Sequence, residues 1–365
     1  MNKAPNVILS DREAEACETF RRGLEEGSGE KWVVWACVSN KGRSRGYNVI
    51  RYFKYLFFPL AVYLKRKQFA KMFAWQVFYA VGFGFYDRLL GGRADNLVIG
   101  KNLIYRPKGG RVGRLYLKWL KYAAGRGRKE LYLVSSRAYQ AYVEEQVGVE
   151  SNRLKAMPFG KEDFTQTQEA QSPRTENTDW PAGGYLLALG RSNRDYDWLV
   201  RALEGTGRKL HIISDEYRPA RIPGNVRISN NLSGLQVLPY LRDAAAMVLP
   251  LADGRFDSGE TVLLMGYMFG KPVIVTGPSC LATDYVKDGE TGLVAEKDAT
   301  GASLRLALAR LEKNPGLAAR LGAAARREYE EKYSEHEYGR RVGAWLRNKE
   351  EGSECLHPSN SLPTT

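Results

Sequence analysis

The residues best placed to do chemistry lie in two short segments of the C-terminal half. The first is LPLADGRFDSGETVLLMGYMFGKPVIVT (249–276). An apolar run ends at Leu251, a loop rich in Gly and Asp follows, and a helix is expected to start near Ser258-Gly259-Glu260-Thr261. Ser258 suits an N-cap, and Gly259 lets a ligand approach the backbone closely. A helix N-terminus offers unpaired N–H groups and a partial positive charge, which together seat a phosphate. The same Ser-Gly pair is also ordinary capping chemistry for any α/β loop. The second segment is ALGRSNRDYDWLV (188–200), where Gly190, Arg191 and Arg194 stand at the point a strand gives way to a loop. A guanidinium fork matches phosphate oxygens, although an isolated pair of loop arginines reads equally as solvated surface. The two segments gain weight together, because both loops would open at the same end of one parallel sheet, where ligands bind.

That sheet is legible in the second half. Short apolar runs at YLLALG (185–190), KLHIIS (209–214), NVRISN (225–230), AMVLPL (246–251), KPVIVTG (271–277) and GLVAE (292–296) read as strands, the last at an edge. Helical spacing fills the intervals at DWLVRALEG (197–205), LQVLPYLRDA (235–244), TVLLMGYMFG (261–270) and SLRLALARL (303–311). Strand and helix alternating at this rhythm predict a parallel sheet with right-handed crossovers. In the first half, NVILSD (6–11), KWVVWACVS (31–39), NLVIG (96–100) and ELYLVSS (130–136) read as strands with helical stretches between them. MFAWQVFYAVGFGFYDRLL (72–90) reads as a buried strand and helix. The polar segment 161–183 is the expected linker, dividing the chain into 1–160 and 184–346, and 347–365 has no core-forming pattern.

The charge divides along the same line. The chain has 365 residues and a formal net charge of +14. Residues 1–160 hold 29 Lys/Arg against 13 Asp/Glu, and 161–365 hold 26 against 28. One half therefore carries the whole basic excess, which nucleic acid, an anionic membrane or a phosphorylated ligand would each explain. Four scattered cysteines (Cys17, Cys37, Cys280, Cys355) argue for a reduced, cytosolic chain without a disulfide framework or Cys-based zinc site. Three His residues form no metal-ligand pattern. The N-terminus lacks an apolar signal core, and the longest apolar runs fall far short of the ~20 residues that span a bilayer.

Between Glu30 and Asp87 there is no acidic residue but ten Lys/Arg, and Tyr47 to Tyr86 contains 15 aromatics in forty residues. In RVGRLYLKWLKYAAGRGRK (111–129), Arg111, Arg114, Lys118 and Lys121 line one helical face, with Val112, Leu115, Trp119 and Tyr122 beside it. Such a helix lies on an anionic membrane, or packs its Trp119 stripe on a core. Basic residues among aromatics also suit single-stranded nucleic acid, but no nucleic-acid module accompanies them and none is expected as a partner. Trp75, Gln76 and Tyr79 are candidates for a sugar-binding pocket, since aromatic faces and amides suit sugar rings. Tyr105, Arg106 and Lys108 could meet an acceptor's phosphate.

The words LGRSNRDYDWL, SGETVLLMGYMFGKPVIVT and TDYVKDGETGLVAEKDA (283–299), in this order and followed by helices to about residue 346, resemble the nucleotide-sugar domain of GT-B glycosyltransferases, most closely family 4 (group 1). YLVSSRAYQAYVEEQVGV and MPFG (132–160) resemble the end of that family's N-terminal domain. The resemblance implies an α/β chain of two Rossmann-like domains with parallel sheets facing across a cleft. It implies a retaining, metal-free transfer from a nucleotide diphosphate sugar, the only co-substrate, without a further cofactor. By position, Arg191 and Arg194 would stabilise the leaving diphosphate, with Glu260 as the third catalytic candidate. Gly190, Asp257, Ser258, Gly259, Thr261 and Met265 would line the donor. The family has two Glu residues separated by seven positions, the second of which contacts the ribose. Here they fall at Asp257 and Met265, and a thioether cannot accept a ribose diol's hydrogen bonds in the usual way. A carboxylate beside a diphosphate is repelled, so Glu260 is expected to point at hydroxyls.

Joined to the basic, aromatic half, these readings give a glycosyltransferase acting on a glycan, lipid-linked, in cell-surface polysaccharide biosynthesis. It would be cytoplasmic and peripheral at the inner face of an anionic membrane. Two rivals are a nucleotide-sugar epimerase of the same fold, and a non-catalytic membrane- or nucleic-acid-binding protein with a degenerate fold.

Overall fold

The computed structural model describes residues 4–38, 45–92, 94–125, 129–176 and 180–354. Lys41, Arg43, Arg126 and Arg128 of the two basic stretches, 177–179 of the expected linker, and 355–365 of the expected tail lie outside them.

In chain order the elements are β1 (Asn6–Ser10), α1 (Glu18–Ser28), β2 (Trp32–Ala36), α2 (Arg45–Leu64), β3 (Lys71–Ala74), α3 (Val77–Leu89), β4 (Leu97–Gly100), α4 (Gly110–Leu120), β5 (Glu130–Val134), α5 (Arg137–Val147) and β6 (Leu154–Ala156). There follow α6 (Gln168–Gln171), β7 (Leu186–Leu189), α7 (Tyr196–Leu203), β8 (Leu210–Ile213), β9 (Val226–Ser229), α8 (Leu238–Asp243), β10 (Ala246–Leu249), α9 (Glu260–Met268), β11 (Val273–Gly277), α10 (Cys280–Asp284), β12 (Leu293–Glu296), α11 (Ala302–Lys313), α12 (Pro315–Glu328) and α13 (Glu335–Glu354). Each strand expected from the sequence is present. The short β6, hidden in the polar stretch SNRLKAM, had no apolar run to announce it.

The chain forms two compact units. The first comprises 1–133, 147–155 and 335–365, the second 134–146 and 156–334. In the first, six strands run in the order β2-β1-β3-β4-β5-β6. All five residues of β1 are buried, as a central parallel strand covered on both faces requires. In the second, the order is β12-β11-β10-β7-β8-β9, with parallel pairing throughout. Alternate residues of a strand point to opposite faces, and here both faces are apolar. Leu187, Leu189, Met247, Leu249, Val273 and Val275 pack with α8 and α9. Leu186, Ala188, Val248 and Ile274 pack with α7 and α11 on the other side. GLVAE is the edge strand β12, as its position in the sequence suggested.

The division does not fall at 161–183. That segment belongs to the second unit: the Lys161 N–H donates to the Tyr333 carbonyl at 2.9 Å, and Asp163 pairs with Arg326 at 2.7 Å. Its low apolar content hid contacts made by backbone and charge. The closing helix is likewise reassigned. α13 packs on α1 in the first unit rather than completing the second, and it continues to Glu354, past the expected end of ordered chain at 346. Glycines allow the approach. A Cβ on Gly27 would lie 2.1 Å from the Arg340 carbonyl oxygen, and one on Gly343 would lie 2.5 Å from that of Leu24.

Candidate functional site

The strand order of the second sheet reverses between β7 and β10. β8 and β9 are laid to one side of β7, and β10, β11 and β12 to the other. The loops leaving β7 and β10 therefore start side by side at the carboxyl ends of neighbouring strands, the place where ligands bind in such sheets. They are tied together. The Asp195 N–H donates to the Pro250 carbonyl at 2.8 Å, and Ala252 N–H to that of Asn193 at 3.2 Å. Asn193, in the left-handed region at φ 57, clasps Asp253 twice: its Nδ2 donates to the Asp253 carbonyl at 2.8 Å, and its Oδ1 accepts from the Asp253 N–H at 2.9 Å.

This clasp holds Arg194. Its Nε donates to the Leu189 carbonyl at 3.0 Å and its Nη1 to that of Ser192 at 3.1 Å. Two left-handed glycines flank the guanidinium, Gly190 at φ 114 and Gly259 at φ 100. A Cβ on either would stand 3.2 Å from Nη2. Only glycine satisfies both the backbone angle and the space. Arg191, by contrast, is exposed and faces Asp215 at 3.7 Å. The arginine that the tertiary structure fixes is Arg194.

The expected N-cap is corrected. Gly259 caps α9, and helical geometry starts at Glu260. Ser258 lies one position outside, its hydroxyl directed at the Ser192 carbonyl at 3.5 Å. The turn into α9 needs a positive φ, which glycine supplies, so the serine is displaced from the cap. Thr261 is exposed at the first turn. Met265 is buried with Leu264, Tyr267 and Met268 in the apolar layer under the sheet, where it packs as a core side chain.

Glu260 does point at a hydroxyl, and the hydroxyl belongs to the protein. Ser135 Oγ lies 3.1 Å from Glu260 Oε1 and is also hydrogen-bonded to Asp257 Oδ2. Asp257 further accepts from the Ser135 N–H at 3.2 Å and the Ser136 hydroxyl at 2.7 Å. Both carboxyl groups are buried, Asp257 at 1 % exposure and Glu260 at 6 %. Burial pushes Asp257 up against the opposing pull of its serine bonds. Burial, with the Asp257 charge beside it, pushes Glu260 up to about 7. Cys280 is a free thiol that burial and Asp257 push up to about 12, which keeps it unreactive.

Three residues of this region were not among the sequence candidates: Ser135, Ser136 and Lys297. The serines carry a faint signal, a polar pair directly after a strand. Lys297 follows β12 and reaches the same loop pair, with Nζ 2.7 Å from Asp195 and 3.2 Å from the Ala252 carbonyl. His211 forms part of β8 and bonds Ser229 at 2.8 Å. Burial, then Arg227 and Arg174, lowers it to about 4, so it stays neutral.

In the first unit the candidates also gather at strand ends, with mixed results. Trp75, after β3, has Lys101 Nζ 3.2 Å from its ring centroid and the Arg12 guanidinium at 4.0 Å. Gln76 donates to the Tyr55 hydroxyl at 2.9 Å and Asp11 at 3.4 Å. Tyr79 is not a pocket residue: it is wholly buried, its ring on Phe58 and its hydroxyl on the Cys37 carbonyl at 3.1 Å. Arg106 is half-buried beside the buried Tyr105, which stacks on Tyr116, while Lys108 is exposed. Among the described residues no group of His, Cys, Asp and Glu is arranged to hold a metal ion.

Residues 200–328 match the family model of glycosyl transferases group 1. Solved structures resemble the chain over nearly its whole length. A sucrose-phosphate synthase from Thermosynechococcus elongatus aligns with TM-score 0.66 at 14% identity, over 95% of this chain and 100% of that one. Anabaena HepE in complex with UDP and glucose aligns with TM-score 0.59 at 11% identity, over 94% and 100%. WaaG, a glycosyltransferase involved in lipopolysaccharide biosynthesis, aligns with TM-score 0.58 at 13% identity, over 93% and 99%. No curated protein matches the chain by sequence. At these identities the solved structures speak for the fold, which is GT-B, and the family match speaks for sugar transfer.

Proposed function

Since the chain carries the group 1 glycosyl transferase segment on a GT-B fold, we propose that it moves a sugar from a nucleotide diphosphate donor to a glycan hydroxyl. The observation that carries this reading is Arg194, locked between Gly190 and Gly259 at the reversal point of the sheet, beside the first turn of α9. Charge builds on the departing diphosphate as the glycosidic bond breaks. A fixed guanidinium and the N–H groups at a helix start stabilise that charge without having to reorganise. Arg191 and Lys297 add positive charge beside it. Retention at the anomeric carbon, without a metal, follows the family pattern. The solved relative bound to UDP makes uridine the first base to test. Met265 leaves the ribose to be held by groups other than the family's second glutamate.

The acceptor reading rests on the first unit. It holds 32 Lys/Arg against 16 Asp/Glu, and the second unit 23 against 25. α2 buries Phe58, Val62 and Tyr63 but exposes Tyr52, Phe53, Leu56 and Phe57. α4 exposes Val112 and Leu115 beside Arg111 and Arg114. No described helix is long and apolar enough to cross a membrane. Apolar side chains flanked by cations suit shallow insertion into an anionic leaflet. A lipid-linked glycan acceptor at the cytoplasmic face of the membrane, in cell-surface polysaccharide synthesis, unites the two units' chemistry.

The experiment is thermal denaturation with UDP, GDP and ADP and their glucose conjugates, since a ligand that binds only the folded state raises its midpoint. One base is expected to stabilise the wild type and to have no effect on Arg194→Ala. In a transfer assay Arg194→Ala should lose about a hundredfold or more in turnover. Equal stabilisation of both proteins would remove Arg194 from the site.

A further inference from the structure

We propose that Glu260 carries a proton when the donor binds, that Ser135 holds this proton in place, and that losing it weakens the grip on the donor's diphosphate. The inference rests on the donor reading above.

The argument begins with one hydrogen atom. The Ser135 hydroxyl has a single proton and two carboxyl oxygens within reach, Asp257 Oδ2 and Glu260 Oε1. It can donate to only one. Asp257 is already the better-served anion, since it also accepts from the Ser135 N–H and the Ser136 hydroxyl. The Ser135 proton therefore belongs to Asp257. Glu260 Oε1 then meets a lone pair of Ser135 Oγ at 3.1 Å, and that contact is attractive only if Glu260 itself donates. The arrangement is a directed chain: the Glu260 carboxylic acid donates to Ser135, and Ser135 donates to the Asp257 carboxylate. Burial excludes the water that would otherwise screen the two carboxyl groups from each other.

The groups facing Glu260 settle the balance. From the loop after β7, Arg194 favours the ionised form. From the turn before α9, Asp257 opposes it. Tyr285, at the end of α10, is buried and held neutral, so it adds no further negative charge. Burial and Asp257 outweigh Arg194, and the titration moves to about 7, where cellular pH changes act on it.

The consequence is competition for one cation. With Glu260 neutral, no charge on it offsets the positive charge that Arg194 and the helix start present to an incoming diphosphate. With Glu260 ionised, a negative charge faces Arg194 from inside the protein and repels the ligand.

Two measurements on the full chain test this. The first is the infrared carbonyl band of protonated carboxylic acids, compared between wild type and Glu260→Gln across about pH 5 to about pH 9. Wild type should show a band that vanishes with a midpoint near 7 and is absent from the variant; identical spectra would overturn the proposal. The second is calorimetric affinity for UDP-glucose, whose diphosphate does not titrate in this range. Wild-type affinity should fall about tenfold from about pH 6 to about pH 8, as one proton with a midpoint near 7 dictates, while Glu260→Gln stays flat. Ser135→Ala should displace the wild-type midpoint. Binding that is equally tight at both pH values in wild type overturns the proposal and leaves the donor reading standing. If UDP-glucose and inorganic pyrophosphate both fail to bind at any pH, the donor reading fails, and the infrared band still decides whether Glu260 holds the proton.

Discussion

Glu260 places a carboxyl group where a helix start would welcome an anion but where burial and Asp257 do not. Its titration rises from 4.5 to about 7 in the folded chain. The sign of the stability effect follows. Between those two values the native state binds more protons than the unfolded state, so stability falls as pH rises through this window and levels off above it. At ~1.4 kcal/mol per pH unit, the loss over this window is about 3 kcal/mol. Glu260→Gln cannot ionise. Denaturant titration should find the variant gaining on wild type by that order between about pH 5 and about pH 8, and an unchanged difference would refute the assignment. At this scale the sequence was a partial guide. Arg194, Gly190, Gly259 and Glu260 stand out in the sequence because strand-end glycines, arginines and acids leave a local mark, while Asp257 enters only through the family resemblance. Ser135 left almost none, since it is 122 residues from Asp257 and no local pattern joins them. Tyr79 was misplaced because an aromatic in a buried helix and one in a pocket look alike in a sequence.

At the scale of elements, the rhythm of apolar runs placed the strands to within three residues, because a parallel strand buried on both faces must be apolar throughout. The boundaries failed where polar residues carried the contact. The segment 161–183 reads as a linker, yet Asp163 and Lys161 bind it to the second unit. α13 is the last described element but packs on α1, and the reason lies in spacing: Gly23 and Gly27 meet Gly339 and Gly343, each pair four residues apart. Small residues at this interval let two helix backbones touch. Gly343→Ala would put a methyl 2.5 Å from the Leu24 carbonyl oxygen and the Ser28 nitrogen, neither of which can move independently of α1. A loss of about 1–3 kcal/mol or more in chemical denaturation is expected. A neutral result would mean the helices are not held this closely.

At the scale of the whole molecule, charge divides as the fold does. The first unit carries the entire basic excess, and the exposed apolar residues of α2 and α4 lie within it. Co-sedimentation with anionic vesicles should be strong at low salt and weaken as salt is added, because screening shortens the reach of the basic residues. Phe53→Asp with Phe57→Asp should release the protein from vesicles without altering the nucleotide-dependent thermal shift. Retention of full vesicle binding would move the contact elsewhere, and no binding by wild type would end the membrane reading. By itself the sequence determined the alternation of strands and helices, the second sheet and the charge asymmetry. These depend on composition and on periodicities of two and 3.6 residues, which are local. Only the tertiary structure decided which arginine is fixed, that Glu260 and Asp257 share one serine hydroxyl, that Met265 is core, and to which unit the last helix belongs. Each of these is a distance between residues far apart in the chain, and no local pattern encodes such a distance.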